Sequence, residues 1–173
     1  MTGSVLSTAA YHGDRALFDS MVRELKKVKD VRVRAQIIGA LGSFRGPELV
    51  GAVLDLLIHS DIDTRETARL LYSGIDDPAT ERMPFEFVKA NFDEILKRAP
   101  SGGGSDFGAL LPDSAAAFCD AASEKEYVDF FRERAKKFTG GPRAYQQMLE
   151  GIRLCEAEKA AQADDIAAYF ARQ

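Results

Sequence analysis

Apolar residues in this chain recur at intervals of three and four positions, and this spacing constrains the fold more than any other feature. Such spacing places side chains on one stripe of an α-helix, whereas a half-buried strand alternates with a period of two. The clearest case is the stripe formed by Phe85, Val88, Phe92 and Ile95. Pro84 suits the first turn of that helix, because its missing N–H is not needed there. No segment alternates like a strand, so the sequence predicts an all-α protein.

Turn and capping residues divide the chain into short helices. Asp14 and Asp30 each stand directly before an apolar-periodic segment, where a carboxylate can accept hydrogen bonds from the free N–H groups of a first turn. Pro47 is placed to open a further helix. Helix pairs recur at roughly 30–40 residues without an exact repeat, as in degenerate helical-hairpin solenoids. We therefore expect residues 1–173 to form a single superhelix of antiparallel helix pairs.

The second half of the chain carries three further helix predictions. Residues 107–119 are expected to form one helix. Ser123 and Glu126 have the spacing of a capping box, which would open a helix over residues 124–138. The last helical section is expected over residues 143–172.

Residues 100–106 are predicted to be a flexible internal loop. They include three consecutive glycines, which could be mistaken for a phosphate-binding loop. The Gly-Lys-Ser/Thr continuation is missing and no strand precedes the run, so a plain linker is the better interpretation.

Composition excludes two classes of partner. The net charge of −4 and the isoelectric point near 5.3 argue against nucleic acid, whose phosphates need a basic stripe. No apolar run approaches the ~20 residues needed to cross a bilayer, so no membrane partner is expected. The first residues lack the basic and apolar regions of a signal peptide. The compartment stays unknown, with the cytoplasm as the default.

The two cysteines, Cys119 and Cys155, lie among apolar residues at helical spacing. Free buried cysteines are common in such surroundings, and this is the expected state of both. A disulfide between them stays open as the alternative.

The sequence contains no recognisable catalytic or metal-binding motif. The two histidines, His12 and His59, stand far apart at helix ends, and neither has a cysteine nearby in sequence. A zinc site needs clustered ligands, and a nucleophile needs a base held beside it. We therefore expect no catalytic residue, no metal and no cofactor in this chain, and an interaction surface in their place.

Four arginines near the ends of the helix pairs are the candidate surface residues: Arg45, Arg65, Arg69 and Arg82. A guanidinium binds a peptide carboxylate through two parallel hydrogen bonds, so these residues could contact a peptide. The alternative is that they are ordinary solvated charges.

The segment Phe85-x-Phe87-Val88-Lys89-x-Asn91-Phe92 has the pattern of a family motif, Trp-x-Phe-hydrophobic-Lys-x-Asn-Trp. It resembles the C-terminal domain of the aminopeptidase-N-like zinc aminopeptidases, which include the puromycin-sensitive and endoplasmic-reticulum types, and further segments agree in order along the chain. His12-Gly13-Asp14 and Glu126-x-Val128-x-Phe130-Phe131 resemble two further family motifs. The departures are Phe85 and Phe92 in place of tryptophans, and Asp63 in place of an arginine.

This resemblance implies a superhelix similar to HEAT or armadillo repeats. In the family this domain covers the preceding zinc-binding catalytic domain, encloses the substrate cavity and contacts the peptide. The implied function is a non-catalytic lid of an aminopeptidase that removes N-terminal residues from peptides, with zinc held elsewhere in the parent polypeptide. A stand-alone HEAT-like scaffold for protein–protein interaction is the alternative.

Overall fold

A computed structural model describes residues 2–98 and 107–172, and the predicted loop at residues 100–106 lies outside these ranges. The described chain is all-α, as the sequence predicts. Its α-helices are α1 (Thr2–Tyr11), α2 (Arg15–Lys27), α3 (Val31–Leu41), α4 (Pro47–Asp55), α5 (Thr64–Thr67), α6 (Met83–Arg98), α7 (Ala121–Arg134) and α8 (Gly141–Phe170). Short 3-10 helices cover Ala68–Tyr72, Phe107–Leu110, Pro112–Ala115 and Ala135–Lys137.

The predicted starts of the early helices are confirmed. The Asp14 carboxylate accepts a hydrogen bond from the backbone N–H of Leu17, at 2.9 Å. The Asp30 carboxylate accepts from the first turn of α3 in the same way, and Pro47 occupies the first turn of α4. These caps satisfy N–H groups that a helix start leaves without an internal partner.

The helices enclose two apolar clusters. The N-terminal cluster is built from α1 to α4 and the following 3-10 helix, with Leu25 and Leu41 fully buried. The C-terminal cluster is built from α4, α6, α7, α8 and the 3-10 helices between them, and it includes Phe85 and Tyr127. Helix α4 contributes Val53 to the first cluster and other residues to the second. The solenoid arrangement of the pairs stays a prediction.

The phenylalanine stripe of α6 lies in the C-terminal cluster. The ring centroids of Phe92 and Phe130 are 5.7 Å apart, nearly perpendicular, and Phe85 lies 4.8 Å from Phe118. Helix α6 is kinked at Asn91, whose side-chain amide donates to the carbonyl of Phe87. A side chain that bonds back into the preceding turn is a recognised cause of helix bending.

The prediction of one helix over residues 107–119 is wrong, because two short 3-10 helices occupy this segment. Pro112 has no N–H to give to the carbonyl of Gly108. The N–H of Leu111 bonds that carbonyl instead, at 3.1 Å, which closes the tighter turn. The Ser114 hydroxyl then donates to the carbonyl of Leu111.

The predicted capping box at Ser123 and Glu126 is also wrong. Asp120 caps α7, since its carboxylate accepts hydrogen bonds from the backbone N–H groups of Ala122 and Ser123. The helix therefore begins at Ala121. Glu126 does not fold back on the helix start, because it pairs with cations of another element, Arg82 and Lys89.

The cysteines are bonded to each other, which corrects the expectation that both are free. Cys119 directly precedes the cap of α7, and Cys155 lies on α8. These helices pack together, which brings the two α-carbons to 5.2 Å despite 36 positions of separation. That α-carbon distance is within the usual range for a disulfide.

The last section is helical as predicted, but only its first half packs. The last buried residue of α8 is Ile152, and residues 157–172 are exposed throughout. Leu154, Ile166, Tyr169 and Phe170 are among the exposed large apolar side chains. About half of this 30-residue helix therefore projects from the core.

Candidate functional site

The four candidate arginines lie on different elements, and the cavity that Arg45 lines includes none of the other three. Arg45 lies between α3 and α4, and Arg65 lies on α5. Arg69 follows on the next 3-10 helix, and Arg82 directly precedes α6. The structure therefore does not gather them into one site, and each is described by its own surroundings.

Arg45 lines a cavity of about 430 Å³ between the end of α1, the α3–α4 turn and the segment that precedes α6. Its guanidinium lies 4.6 Å from the centroid of the Tyr11 ring and also donates a hydrogen bond to the Tyr11 hydroxyl. Its other terminal nitrogen, Nη2, lies 2.9 Å from Oδ2 of Asp77. The arginine is thus held between an aromatic face and a carboxylate.

Asp77 is itself fixed by its own turn. Its carboxylate accepts a hydrogen bond from the backbone N–H of Ala79, at 3.0 Å. That bond and, after it, the Arg45 guanidinium hold the pKa of Asp77 below its usual range. The carboxylate therefore stays charged at neutral pH and keeps Arg45 in place.

The wall of this cavity depends on a glycine. Gly74 has a φ of +79°, a conformation that side chains disfavour. An added β-carbon would also lie 2.8 Å from the Thr80 hydroxyl oxygen and from a methyl group of Val50. The same Thr80 hydroxyl donates to the carbonyl of Gly74, at 2.8 Å, which closes the turn.

Tyr72 also lines the cavity, and its hydroxyl donates to the Asp113 carboxylate at 3.2 Å. Burial raises the pKa of both Tyr72 and Asp113, and the proximity of the Asp113 charge raises the pKa of Tyr72 further. The tyrosine is therefore a neutral hydrogen-bond donor at neutral pH.

Ser73, next to Tyr72, is 2% exposed, and its hydroxyl oxygen has no hydrogen-bond partner among the described residues. An unpaired buried hydroxyl has a free-energy cost, so this position is the least satisfied polar group near the cavity.

Arg82 belongs to a separate ion-pair network between α6 and α7. Its guanidinium contacts the Glu126 carboxylate, lies 4.7 Å from the ring centroid of Phe118, and donates to the hydroxyl of Ser123. Lys89 Nζ donates to the other Glu126 oxygen, at 2.6 Å. Lys89 first, and Arg82 after it, lower the pKa of Glu126. Through Glu126 and Ser123, Arg82 links the start of α6 to α7.

Arg65 and Arg69 differ from the other two. Both are exposed, and neither side chain makes an ion pair with another residue that the structure describes. They lie four positions apart on consecutive helical turns, although the second turn is a 3-10 helix. A pair of exposed cations without internal carboxylates is free to bind an external anion, whereas Arg45 and Arg82 would first have to leave their partners.

The described residues do not fit a zinc ion. No three side chains of the metal-binding types His, Cys, Asp and Glu cluster in residues 2–98 and 107–172. His12 lies edge-on to the ring of Tyr11, and His59 lies 3.8 Å from Asp55. Both cysteine sulfurs are held in the disulfide. In the same ranges, no helix has the length and apolar character that a membrane span requires.

The sequence made Arg45 a candidate but did not indicate its surroundings. Tyr11, Tyr72 and Asp77 were not candidates, because they lie on three separate elements and carry no shared motif. The Asp76–Asp77 pair before Pro78 was the available signal, since carboxylates in such turns often hold a neighbouring cation.

Three curated proteins illustrate the similarity of this chain to aminopeptidases. It is 22% identical over 137 residues to "Probable aminopeptidase 1" of Saccharolobus solfataricus, which is 79% of this chain and 17% of that protein. It is 22% identical to "Aminopeptidase 2" of Candida albicans, covering 79% of this chain and 15% of the relative. It is 25% identical to "Aminopeptidase M1-D" of Oryza sativa subsp. japonica, covering 82% of this chain and 16% of the relative. The chain thus spans only 15 to 17% of the length of these relatives.

The family comparison covers more of the chain than any of these alignments. Residues 1–154 match the family described as the ERAP1-like C-terminal domain, and the match ends close to the point at which α8 leaves the core. Because the matched residues are well over half of the chain, this protein belongs to the ERAP1-like C-terminal domain family.

Proposed function

We propose that residues 1–173 form a single non-catalytic domain at the C-terminal end of a zinc-dependent aminopeptidase, where they cover the catalytic domain as a lid. The family match over residues 1–154 is the observation that carries this proposal. The relatives add support, because each is named an aminopeptidase and each is about six times longer than its matched segment.

The partners of this domain would be the preceding catalytic domain of the same polypeptide and the peptide substrate. The zinc ion would be held by the catalytic domain, since the described residues bring no three candidate ligands together. The contribution of this chain to turnover is then to admit, enclose and release the peptide. Such motions gate a reaction without taking part in its bond changes.

The arginines would contact the substrate through its carboxylate groups. Arg65 and Arg69 are the better placed, because both are exposed and neither is ion-paired within the described chain. Arg45 lines a cavity but already holds Asp77, and Arg82 already holds Glu126. For the last two, binding a peptide would require an exchange of partners.

We also propose that this domain resides in an oxidising compartment, in place of the cytoplasmic default. The Cys119–Cys155 disulfide supports this, because the cytosol keeps most protein thiols reduced. Mass measurement of the native protein after thiol alkylation checks it: two alkylated cysteines would contradict the proposal.

The polypeptide that natively contains this chain provides the test of the lid. We expect it to be several times larger than 19.0 kDa, to bind about one zinc ion, and to hydrolyse aminoacyl-anilides until a chelator is added. The 173-residue chain alone should neither bind zinc nor hydrolyse these substrates. Hydrolysis or stoichiometric zinc binding by the isolated chain would contradict the proposal that this domain is non-catalytic and holds no metal. A native polypeptide limited to these residues would instead support the stand-alone scaffold.

The arginine contacts are tested with two substrates of the parent enzyme. Substitution of both Arg65→Ala and Arg69→Ala should raise KM about three- to tenfold for a peptide with a free C-terminal carboxylate, because charge-assisted hydrogen bonds are lost. The KM for the matching C-terminal amide should not change. Arg132→Ala on α7 serves as the exposed control. Equal changes for acid and amide would show that these arginines do not bind the carboxylate.

A further inference from the structure

The corner between α2 and α3 carries an excess of positive charge. Residues 23–34, with the sequence RELKKVKDVRVR, contain six cations and two carboxylates, which gives a net charge of +4. The whole chain has a net charge of −4, so the remainder carries −8. Charges act on their surroundings over a Debye length of about 8 Å. This corner therefore presents a positive field although the protein as a whole is acidic.

Most of these cations are not neutralised inside the molecule. The exposed ones, which together form the basic corner, are Arg23, Lys26, Lys27, Lys29 and Arg32. Within the part of the chain that the structure describes, Lys27 alone of these five makes an ion pair, with Glu24 at 3.3 Å. Both side chains of that pair are largely exposed, so water screens their attraction. The basic corner is therefore available to an external anion.

The start of α3 departs from the usual distribution of charge along a helix. The first turn is the positive end of the helix dipole and favours acidic residues, but after its Asp30 cap α3 begins VRVR and has none there. Lys26 and Lys27 need no such explanation, because the last turn of α2 favours cations. Arg32 makes no ion pair within the described ranges. An external anion would offset its unfavourable position.

Arg34 fixes the shape of this corner. Its Nη1 donates hydrogen bonds to the backbone carbonyls of Leu25 and Val28, at 2.8 and 3.0 Å, where α2 ends. Its Nε donates to the Glu66 carboxylate on α5, at 2.8 Å. Carbonyl groups at a helix end need such donors. The exposed cations are therefore presented on a turn that is fastened at both sides.

An apolar side chain lies at the tip of the basic corner. Val31 is 78% exposed, the largest exposed fraction among the large apolar side chains of the described residues. It stands between Lys29 and Arg32 in the sequence, so its neighbours are cations. Lipid phosphates attract such cations, and a shallow apolar group can enter the boundary between headgroups and acyl chains. The corner combines both requirements.

We propose that the basic corner contacts an anionic lipid surface, with Val31 inserted at the level of the headgroups. The proposal goes beyond the proposed function and does not depend on it. A contact of this kind needs no helix that crosses the bilayer, because charge and a small apolar group are sufficient. The sequence-based expectation of no membrane partner concerned spanning segments only.

Nucleic acid and an acidic protein segment are poorer occupants. A duplex offers no apolar layer to Val31, and beyond the corner it would meet the acidic remainder of the chain. A protein would need a pocket that fits one protruding valine, whereas acyl chains deform around it. A lipid surface that touches only the corner leaves most of the acidic remainder beyond a Debye length of about 8 Å.

Cosedimentation of the 173-residue chain with vesicles tests the charge requirement. One set of vesicles is phosphatidylcholine, and the other contains about one-third phosphatidylglycerol. We expect at least about tenfold more bound protein on the anionic vesicles at low salt. This binding should fall at least about fivefold at roughly 0.5 M NaCl, because salt screens exposed charges.

Two charge reversals locate the contact. Lys26→Glu with Lys29→Glu should lower binding to the anionic vesicles at least about tenfold. Lys136→Glu with Lys137→Glu is the matched control, since it changes the net charge equally at two other exposed positions, and it should lower binding less than about threefold. Circular dichroism checks the folding of both variants. Lys26→Gln with Lys29→Gln repeats the test with a smaller change if the reversal unfolds the protein.

Tryptophan fluorescence tests the insertion of Val31. The chain contains no tryptophan, so Val31→Trp introduces a single reporter. Its emission should shift to the blue on anionic vesicles and be quenched by lipids with brominated acyl chains. Phe170→Trp is the control, because Phe170 is also apolar and 70% exposed but lies on the projecting half of α8. Its emission should not change.

Each other outcome rejects this contact. Absence of vesicle binding, equal binding to both kinds of vesicle, or equal losses in the two charge reversals would show that the basic corner does not bind anionic lipid. A blue shift for Phe170→Trp without one for Val31→Trp would place the lipid contact on α8. Binding to polyglutamate or duplex DNA without binding to vesicles would identify an acidic protein or a nucleic acid as the partner. None of these results bears on the lid.

Discussion

At the scale of single residues, Phe92 is expected to contribute most clearly to stability. It is 4% exposed and packs against the rings of Phe130, Phe131 and Phe138. Phe92→Ala should lower the free energy of unfolding by about 3–5 kcal/mol, because it removes apolar contacts and leaves a cavity. Urea melts measure this loss.

The control for Phe92 is Phe170→Ala. Phe170 is 70% exposed on the projecting half of α8, and its truncation should change stability by less than about 0.5 kcal/mol. A loss under about 1 kcal/mol for Phe92→Ala would show that the stripe of α6 is not a core element.

Asp113 should make stability depend on pH in the opposite direction from most carboxylates. Burial raises its pKa in the folded state, so the folded protein keeps a proton that the unfolded chain has released. This contribution is fully present below the ordinary aspartate pKa of about 3.9 and is lost as the pH rises through the raised value. Asp113→Asn should abolish the loss and keep an acceptor for Tyr72.

Chemical denaturation of the Asp113→Asn variant at pH 4 and at pH 7 provides the measurement. From pH 4 to pH 7, the free energy of unfolding of the variant should fall by less than that of the unsubstituted protein. Asp164→Asn, on the exposed part of α8, is the control that removes a carboxylate from the surface. If Asp113→Asn lost as much stability as the parent over this interval, burial would not control this group.

Local chemistry decided which residue roles could be predicted. Asp14 and Asp30 were identified correctly, because an N-cap needs only the residue and the helix directly after it. Glu126 was misassigned, because its partners Arg82 and Lys89 lie 44 and 37 positions earlier in the chain. No local pattern specifies a contact over such distances.

At the scale of elements, the disulfide joins the loop before α7 to α8 just beyond its last buried residue. A crosslink over 36 positions restricts the unfolded chain, and the lost loop entropy corresponds to about 3–4 kcal/mol of stabilisation. Engineered disulfides often stabilise proteins by less than this value. The double substitution Cys119→Ser and Cys155→Ser should therefore lower the free energy of unfolding by about 2–4 kcal/mol in denaturant melts.

A reductant separates this effect from packing damage. Dithiothreitol should lower the free energy of unfolding of the unsubstituted protein to a similar extent and leave that of the double variant unchanged. If the reductant changed neither protein, the disulfide would have no part in stability.

Elements were predictable where periodicity is long and uninterrupted. Helix α8 was anticipated within two residues at each end, because its apolar residues keep a helical period through Ile152. Residues 107–119 were misread as one helix, because their composition is helical but Pro112 removes the backbone donor that an α-helix needs there. The disulfide could not be derived from spacing, since it depends on how α7 and α8 pack.

At the scale of the whole molecule, the two apolar clusters predict unequal local stability. In repeat architectures each unit contacts mainly its neighbours, so a defect affects one region first. Leu41→Ala, in the N-terminal cluster, should speed amide hydrogen exchange in α1 to α3 more than in α7 and α8. Leu111→Ala, equally buried in the C-terminal cluster, should do the reverse.

Exchange measured by mass spectrometry on both variants decides this. Uniform acceleration along the chain in either variant would indicate one cooperative unit instead of a solenoid. The comparison has a built-in control, because both changes remove the same atoms from fully buried leucines.

The candidate site could be predicted only as a list of cations. Composition and helix ends pointed to four arginines, and the structure separates them by their partners: Asp77 holds Arg45 and Glu126 holds Arg82. Those carboxylates come from other elements, so which arginine stays available is a property of the assembled molecule and not of any segment.

The projecting half of α8 also sets the hydrodynamic size of the molecule. A compact protein of 173 residues has a radius of gyration of about 16 Å. A 30-residue helix is about 45 Å long, and roughly half of it extends past the core. The mass is therefore distributed as a body with an arm, which slows its rotational diffusion more than its molecular weight implies. A surface that approaches this domain from the side of the arm meets the arm before the core.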